Sequence, residues 1–344
     1  MKNINNLVKI GAISLAAILI GLVVVYRRPS ASLQTSSSAL MDIVADKWNG
    51  EPIRPLPTDV SLDRAKVQLG EKLFNETQLS HDNTISCASC HNLGLGGTDQ
   101  KPHSTGINGQ AGDVNSPTVF NVAYNFKQFW DGRADNLESQ IDGPTHASNE
   151  MGSSWEEIVS KLRSSPDYGP EFARIYGGEL TEDQIKNAIA EFERSLITPN
   201  SRFDRYLAGD SSALTADEID GYKTFKSVGC VSCHQGINIG GNLFQEFGAM
   251  GDYFKDRGNI TKADLGRYNV THRELDRYVF KVPSLRNISK TAPYFHDGSA
   301  KTLEAAVSVM SKYQLGRELS ADEIHLIVKF LKTLDGEYTR YPTP

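Results

Sequence analysis

Four cysteines make up the whole thiol content of this 344-residue chain. They fall in two pairs, each followed at once by a histidine: Cys87-Ala88-Ser89-Cys90-His91 and Cys230-Val231-Ser232-Cys233-His234. Two thiols three residues apart lie on one helical turn, where they reach the two vinyl groups of a single porphyrin. The adjacent histidine then comes to lie under the iron as proximal ligand, so C-x-x-C-H is the attachment signature of a c-type haem. A single copy leaves room for a redox C-x-x-C or half of a zinc site. Two copies, no leftover cysteine and an amino terminus suited to export favour two covalently bound haem c groups.

The elements around each motif repeat. A helical pattern at Arg64 to Phe74 precedes the first and one at Glu218 to Phe225 precedes the second. Both contain G-x-K-x-F, at Gly70 to Phe74 and Gly221 to Phe225. Downstream of each motif a capped helix is expected, from Thr181 with Gln184 to about Leu196, and from Ser320 with Glu323 to about Leu334. Thr215 with Glu218 is a third capping-box pattern. Helix, C-x-x-C-H, variable middle and capped helix is the order of a small cytochrome c, in which the first and last helices cross. Gly70 and Gly221 are placed to let them approach. The expected fold is therefore all-α, with two cytochrome c-like domains, each holding one covalent haem. The middle of the first half is longer than a carrier domain needs, which marks its haem as the one with an additional task.

Ile10 to Tyr26 is an uncharged apolar run, with Lys2 and Lys9 before it and Arg27 and Arg28 after it. It is at the short end of the roughly 17–25 residues of a membrane span. Ser30-Ala31-Ser32 offers a cleavage site for a signal peptide, but the paired arginines fit an uncleaved inner-membrane anchor better. Either way the chain is exported, with the periplasm as its expected place. Residues 1–28 read as anchor or signal, 29–41 as a Ser/Ala-rich linker, 42–200 as the first haem domain and 201–344 as the second, with its extreme end free to pack back on the first. Pro199-Asn200-Ser201 marks the boundary. A net charge of −6 argues against nucleic acid as partner.

Several long stretches closely resemble the bacterial dihaem cytochrome c peroxidase family. They are SCASCHNLGLGGTD at Ser86 to Asp99, NSPTVFNVAYN at Asn115 to Asn125, QFWDGRADNLESQ at Gln128 to Gln140 and EMG at Glu150 to Gly152. LITP at Leu196 to Pro199, FDRYL at Phe203 to Leu207, GCVSCHQGINIGG at Gly229 to Gly241 and TAPYFHDG at Thr291 to Gly298 continue the match. The resemblance implies a peroxidatic haem on His91, with Gln140 positioning hydrogen peroxide and Glu150 moving its proton. It implies an electron-accepting haem between His234 and Met310, with Trp130 between the two haems. It also implies one calcium ion, held by the Asn115 side chain and the carbonyls of Thr291 and Pro293. Electrons would come from a reduced monohaem cytochrome c or a copper protein, and a homodimer is the expected assembly. Read alone, several of these residues have plainer roles. Met310 falls on a stripe with Leu303, Ala306 and Val307 that spacing assigns to a core, Trp130 is a packing residue, and Glu150 is a loop acid.

One departure stands out. Many family members carry a histidine in a Ser-x-Gly-His stretch that blocks the peroxidatic iron until the other haem is reduced. Here that stretch is Ser104-Thr105-Gly106-Ile107, and isoleucine cannot ligate iron. His103 and His146 are the candidate substitutes. Two other activities compete with peroxidase. A dihaem electron carrier would have no use for Gln140 and Glu150. A MauG-type enzyme, which oxidises a protein side chain, has a tyrosine ligand in place of the methionine, and Tyr313 lies close to Met310 in sequence.

Overall fold

The computed structural model describes residues 50–341, so the apolar run and the linker lie outside the described residues. Helix α1 (Arg64–Phe74) starts at Asp63, whose carboxylate accepts from the N–H groups of Ala65 and Lys66. Helix α2 (Leu137–His146) starts at Asn136, and α3 (Glu182–Ser195) at the Thr181/Gln184 capping box. In the second half, α4 (Ala216–Ser227) starts at the Thr215/Glu218 box, α5 (Leu303–Val309) at Thr302 and α6 (Ala321–Lys332) at the Ser320/Glu323 box. Each box satisfies amide donors that the first helical turn would otherwise leave unpaired.

Helices α1 and α3 pack together, and so do α4 and α6. A Cβ on Gly70 would lie 1.9 Å from the Ala188 carbonyl oxygen, and one on Gly221 would lie 2.1 Å from the Leu326 oxygen. Both crossings therefore require glycine, because real Cβ contacts do not come that close. Around the first crossing lies a core that includes Leu69, Phe74, Ile158, Phe172 and Phe192; around the second lies one of Phe203, Tyr222, Phe225, Phe330 and Leu334. Burying each such side chain contributes on the order of 1.5–3 kcal/mol.

The two ends of the described chain cross over. Ile53, early in the sequence, is buried in the second core. Tyr338 packs on Phe120 of the first, ring centroids 5.1 Å apart, and the Leu62 N–H donates to the Tyr341 hydroxyl. At the junction Thr198 is tied to both halves. Its N–H donates to Asn121 Oδ1, and its hydroxyl oxygen accepts from the Asn121 and Asn287 side-chain amides. Arg286, 1 % exposed, donates to both carboxylate oxygens of Asp204 at 3.0 Å and to the carbonyls of Ile237 and Arg54. A buried pair with every guanidinium nitrogen bonded is costly to break from one side, by about 3–5 kcal/mol.

The expected all-α fold holds apart from one ribbon. Strand β1 (Phe244–Glu246) pairs antiparallel with β2 (Val279–Lys281), with Phe244 opposite Lys281. Val279 and Phe280 suit a pleated, buried surface, and all three residues of β2 are buried. Among the described residues, no helix is long and apolar enough to cross a membrane.

Candidate functional site

Two cavities lie side by side. The first, about 1180 Å³, is lined by Cys87, Cys90 and His91 together with Arg133, Gln140 and Glu150. The second, about 250 Å³, is lined by Cys230, Cys233 and His234 together with Leu303, Val307 and Met310. Asn115, Trp130 and Phe280 line both.

The C-x-x-C-H turns are built alike. The His91 N–H donates to the Cys87 carbonyl at 2.9 Å and the His234 N–H to that of Cys230 at 3.0 Å. His91 Nδ1 is 3.3 Å from the Gly97 carbonyl oxygen and His234 Nδ1 is 3.3 Å from that of Ile239. A carbonyl holds the ring proton on Nδ1 and leaves the Nε2 lone pair free for a metal. Burial keeps both imidazoles neutral, lowering His91 and pulling His234 down to about 4. It pushes the Cys87 thiol up to about 12 and the Cys230 thiol to about 11. A redox C-x-x-C needs the opposite shift. Paired neutral thiols beside a metal-ready imidazole fit a haem c in each cavity.

Glu150 is one of the acids on the wall of the first cavity. Burial raises its carboxyl above the usual range, Arg133 opposes the shift and Asp113 adds to it. The loop that carries it is clamped. The Ile107 N–H donates to the Glu150 carbonyl at 2.8 Å, and a Cβ on Gly106 would lie 2.1 Å from the Asn149 oxygen. Gln140 is on the middle of α2, a helix whose last turn feeds that loop through Met151 N–H to the Pro144 carbonyl. Ile107 itself is 5 % exposed and packs against Gly152, where an added Cβ would meet its Cδ1 at 2.5 Å. It is not part of the cavity wall. His103 lines the cavity from an exposed position. His146 does not; its Nδ1 is 3.1 Å from the Ser153 carbonyl and its ring meets Trp155 edge-on.

Met310 begins a five-residue π turn, Met310–Gln314, that continues α5; the Leu315 N–H donates to the Met310 carbonyl. Such turns concentrate at functional sites. The stripe of Leu303, Ala306, Val307 and Met310 is thus a cavity wall. Tyr313 is not on that wall, and its hydroxyl donates to Asp256 at 3.1 Å. The Trp130 indole N–H donates to the Asn115 carbonyl at 2.9 Å, and its ring meets His296 edge-on with centroids 6.4 Å apart. Asn115, Thr291 and Pro293 all line the second cavity. The Asn115 amide donates to the Lys101 carbonyl at 2.8 Å. Asp264, His296 and Asp297 also cluster, but His296 Nε2 is 2.7 Å from Asp264 and the Arg257 guanidinium bonds both carboxylates.

Three cavity residues escape the sequence reading. Arg133 lies inside a recognised stretch but carries no spacing signal, and its guanidinium lies 3.4 Å from the Phe129 ring centroid. Glu193 is 7 % exposed, lines the first cavity and has one carboxylate oxygen without a partner; burial pushes it to about 8. Lys281 is 7 % exposed and lines the second. A usable signal did exist. Residues 115–144 and 281–310 match at a constant offset of 166, pairing Pro117 with Pro283, Asn121 with Asn287, Phe129-x-Asp131-Gly132 with Phe295-x-Asp297-Gly298 and Leu137 with Leu303. The backbone follows, with φ of 69° at Phe129 and 72° at Phe295, and 60° at Asn121 and 57° at Asn287. Left-handed phenylalanine is uncommon, and having it at equivalent positions marks a shared turn.

Crossed helix pairs around two adjoining cavities, each with two thiols and a metal-ready imidazole, one with Glu150 and Gln140 and the other with Met310, define a helical redox protein with two cofactor sites. Residues 64–212 match the sequence profile of the di-haem cytochrome c peroxidases. The chain is 46% identical over 298 residues to the cytochrome c peroxidase Ccp of Escherichia coli, covering 86% of this chain and 64% of that one. It is 45% identical to the cytochrome c551 peroxidase of Nitrosomonas europaea, covering 86% and 87%. Among solved structures, a MauG-like protein associated with microbial copper homeostasis superposes with a TM-score of 0.72 at 29% identity, over 83% of this chain and 94% of that one. The chain belongs to the di-haem cytochrome c peroxidase family, and haem is the cofactor of that family.

Proposed function

We propose that this protein is a periplasmic peroxidase that reduces hydrogen peroxide to two waters with two protons and two electrons from a small redox protein. The observation that carries the reading is the division of residues between the cavities: Glu150 and Gln140 share one with His91, and Met310 shares the other with His234. Bound haem supplies the redox chemistry in each. Cys87, Cys90 and His91 would hold one group, and Cys230, Cys233, His234 and Met310 the other. Gln140 orients peroxide through its amide. Glu150, with a carboxyl raised by burial, takes a proton from one peroxide oxygen and returns it to the other, so that water leaves. A thioether ligand favours the reduced state, which suits Met310 to the site that collects electrons. Trp130, on the wall common to both cavities, lies on the route between them. Asn115, Thr291 and Pro293 would hold calcium at that wall.

The haem domains are assigned to 42–200 and 201–344, with residues 1–28 as a membrane anchor or signal segment and a homodimer as the assembly. A reduced monohaem cytochrome c or copper protein is the donor. Because Ile107 is packed away from the cavity, the His91 site is open to peroxide without prior reduction of the other. The test is turnover of the holoprotein with peroxide and a reduced monohaem cytochrome. Glu150→Gln should lower it by roughly 10²–10⁴ with both haems retained. Near-normal turnover would remove Glu150 from the mechanism.

A further inference from the structure

Lys281 ends strand β2 with its side chain on the wall of the His234 cavity. Its backbone N–H donates to the Trp130 carbonyl at 2.8 Å. Its ammonium forms no hydrogen bond and no ion pair among the described residues; the pairs found there engage other lysines and arginines. The one carboxylate on the same cavity wall, Glu246, is exposed and lies outside ion-pair distance. An ammonium so nearly enclosed and without a counter-charge is costly, and proteins avoid that state by pairing or neutralising the group. The repeat sharpens the point. Lys281 is the equivalent of Asn115 at the offset of 166, and their backbone bonds are reciprocal: Lys281 N–H to the Trp130 carbonyl, Asn115 N–H to the His296 carbonyl at 2.7 Å. Where the first half presents a neutral amide, the second presents a cation on the same frame.

We infer that Lys281 is the cationic partner of a carboxylate on the group held by Cys230, Cys233 and His234. Haem carries two such carboxylates, so the ion pair is completed when the group binds. This rests on the reading of that cavity as a haem site. The pair has a second consequence. A fixed positive charge beside a redox centre favours the form with one more electron, and it acts strongly where water is excluded. Lys281 thereby biases the His234 site toward accepting electrons, in the same direction as Met310. It touches no substrate and is a positioning residue for the cofactor.

The experiment is a redox titration of the holoprotein, followed optically, for wild type, Lys281→Met and Lys281→Arg, with haem per chain counted from the pyridine haemochrome. Lys281→Met should lower the midpoint potential of the His234 site and leave that of the His91 site in place, while Lys281→Arg, which keeps the charge, should stay near wild type. An unmoved potential in Lys281→Met with two haems per chain overturns the inference alone. Fewer than two haems in the wild type overturns the reading of the cavities instead. Should Lys281→Met accumulate no holoprotein, the arginine variant decides: a retained potential supports the ion pair, and a fallen one overturns it.

Discussion

Residues 115–144 and 281–310 run along the two cavities in the same conformation, yet they carry different chemistry. Each begins beside the common wall, turns at a left-handed asparagine, passes through Phe-x-Asp-Gly and enters a helix capped by Asn136 or Thr302. Isolated bridges close both turns, Gln128 to Ala134 and Tyr294 to Ala300. Equivalent positions differ in kind, among them Asn115 and Lys281, Trp130 and His296, Gln140 and Ala306, and Pro144 and Met310. After the helix the first half supplies a clamped loop with Glu150, and the second a π turn with Met310 at its head. The frame is what the halves share; function was divided by side-chain substitution on it and by the two segments that follow. The titratable groups set into the two walls also differ in kind, an acid, Glu193, in the first cavity and a base, Lys281, in the second.

The frame can be broken at its two crossings. Gly70→Ala and Gly221→Ala each force a Cβ into a carbonyl oxygen of the facing helix. Each should destabilise the protein by about 1–3 kcal/mol or more, the range for overpacking, read from denaturant unfolding of the holoprotein. Similar costs at both positions support one frame used twice. A large cost at one and none at the other means that the halves cross differently in solution.

The division of chemistry can be broken at Met310. Met310→Ala should remove the thioether from the second site, lower its potential toward that of the first, and abolish the sulfur-to-iron charge-transfer band. If band and potential survive, Met310 only fills the wall and another residue supplies the ligand.

What the sequence made legible is what has a local cause. The helix at Arg64–Phe74 has the expected bounds, and the capping boxes at Thr181, Thr215 and Ser320 form because side chain and amide are three residues apart. Gly70 and Gly221 were readable because their repeated context singled them out. The Met310 stripe was not decisive, since a helix facing a core and one facing a cofactor cavity have the same apolar period. Glu193 was invisible for a related reason. Within α3 it reads as one more solvated acid, and only the cavity beside the helix explains why it is buried. Lys281 depends on pairing between strands 33 residues apart, which no local pattern announces. The repeat at an offset of 166 gives little periodic signal, because its segment between the motifs and the capped helices is mostly turns, without the periodicity that marks helices.

The smallest expected effect concerns His103. It is the one histidine other than His91 on the wall of the first cavity, so it is the residue that could restore gating by ligating the iron before activation. Its position argues otherwise. It is exposed, so leaving water for a buried metal site would require the strand of chain at 104–112 to move. That strand is pinned by the Gly106 contact with Asn149, by the Ile107 N–H bond to the Glu150 carbonyl and by the Ser104 hydroxyl, 2.6 Å from that of Ser116. Moving it would also lift Ile107 out of its packing against Gly152 and disturb the acid itself. His103→Ala should therefore leave turnover unchanged, and the fully oxidised protein, with or without the substitution, should react with peroxide at once. Paramagnetic resonance of the oxidised wild type provides the check. A low-spin bis-histidine signal from the first haem, lost in His103→Ala, would mean that the pinned loop opens and that this half is gated after all.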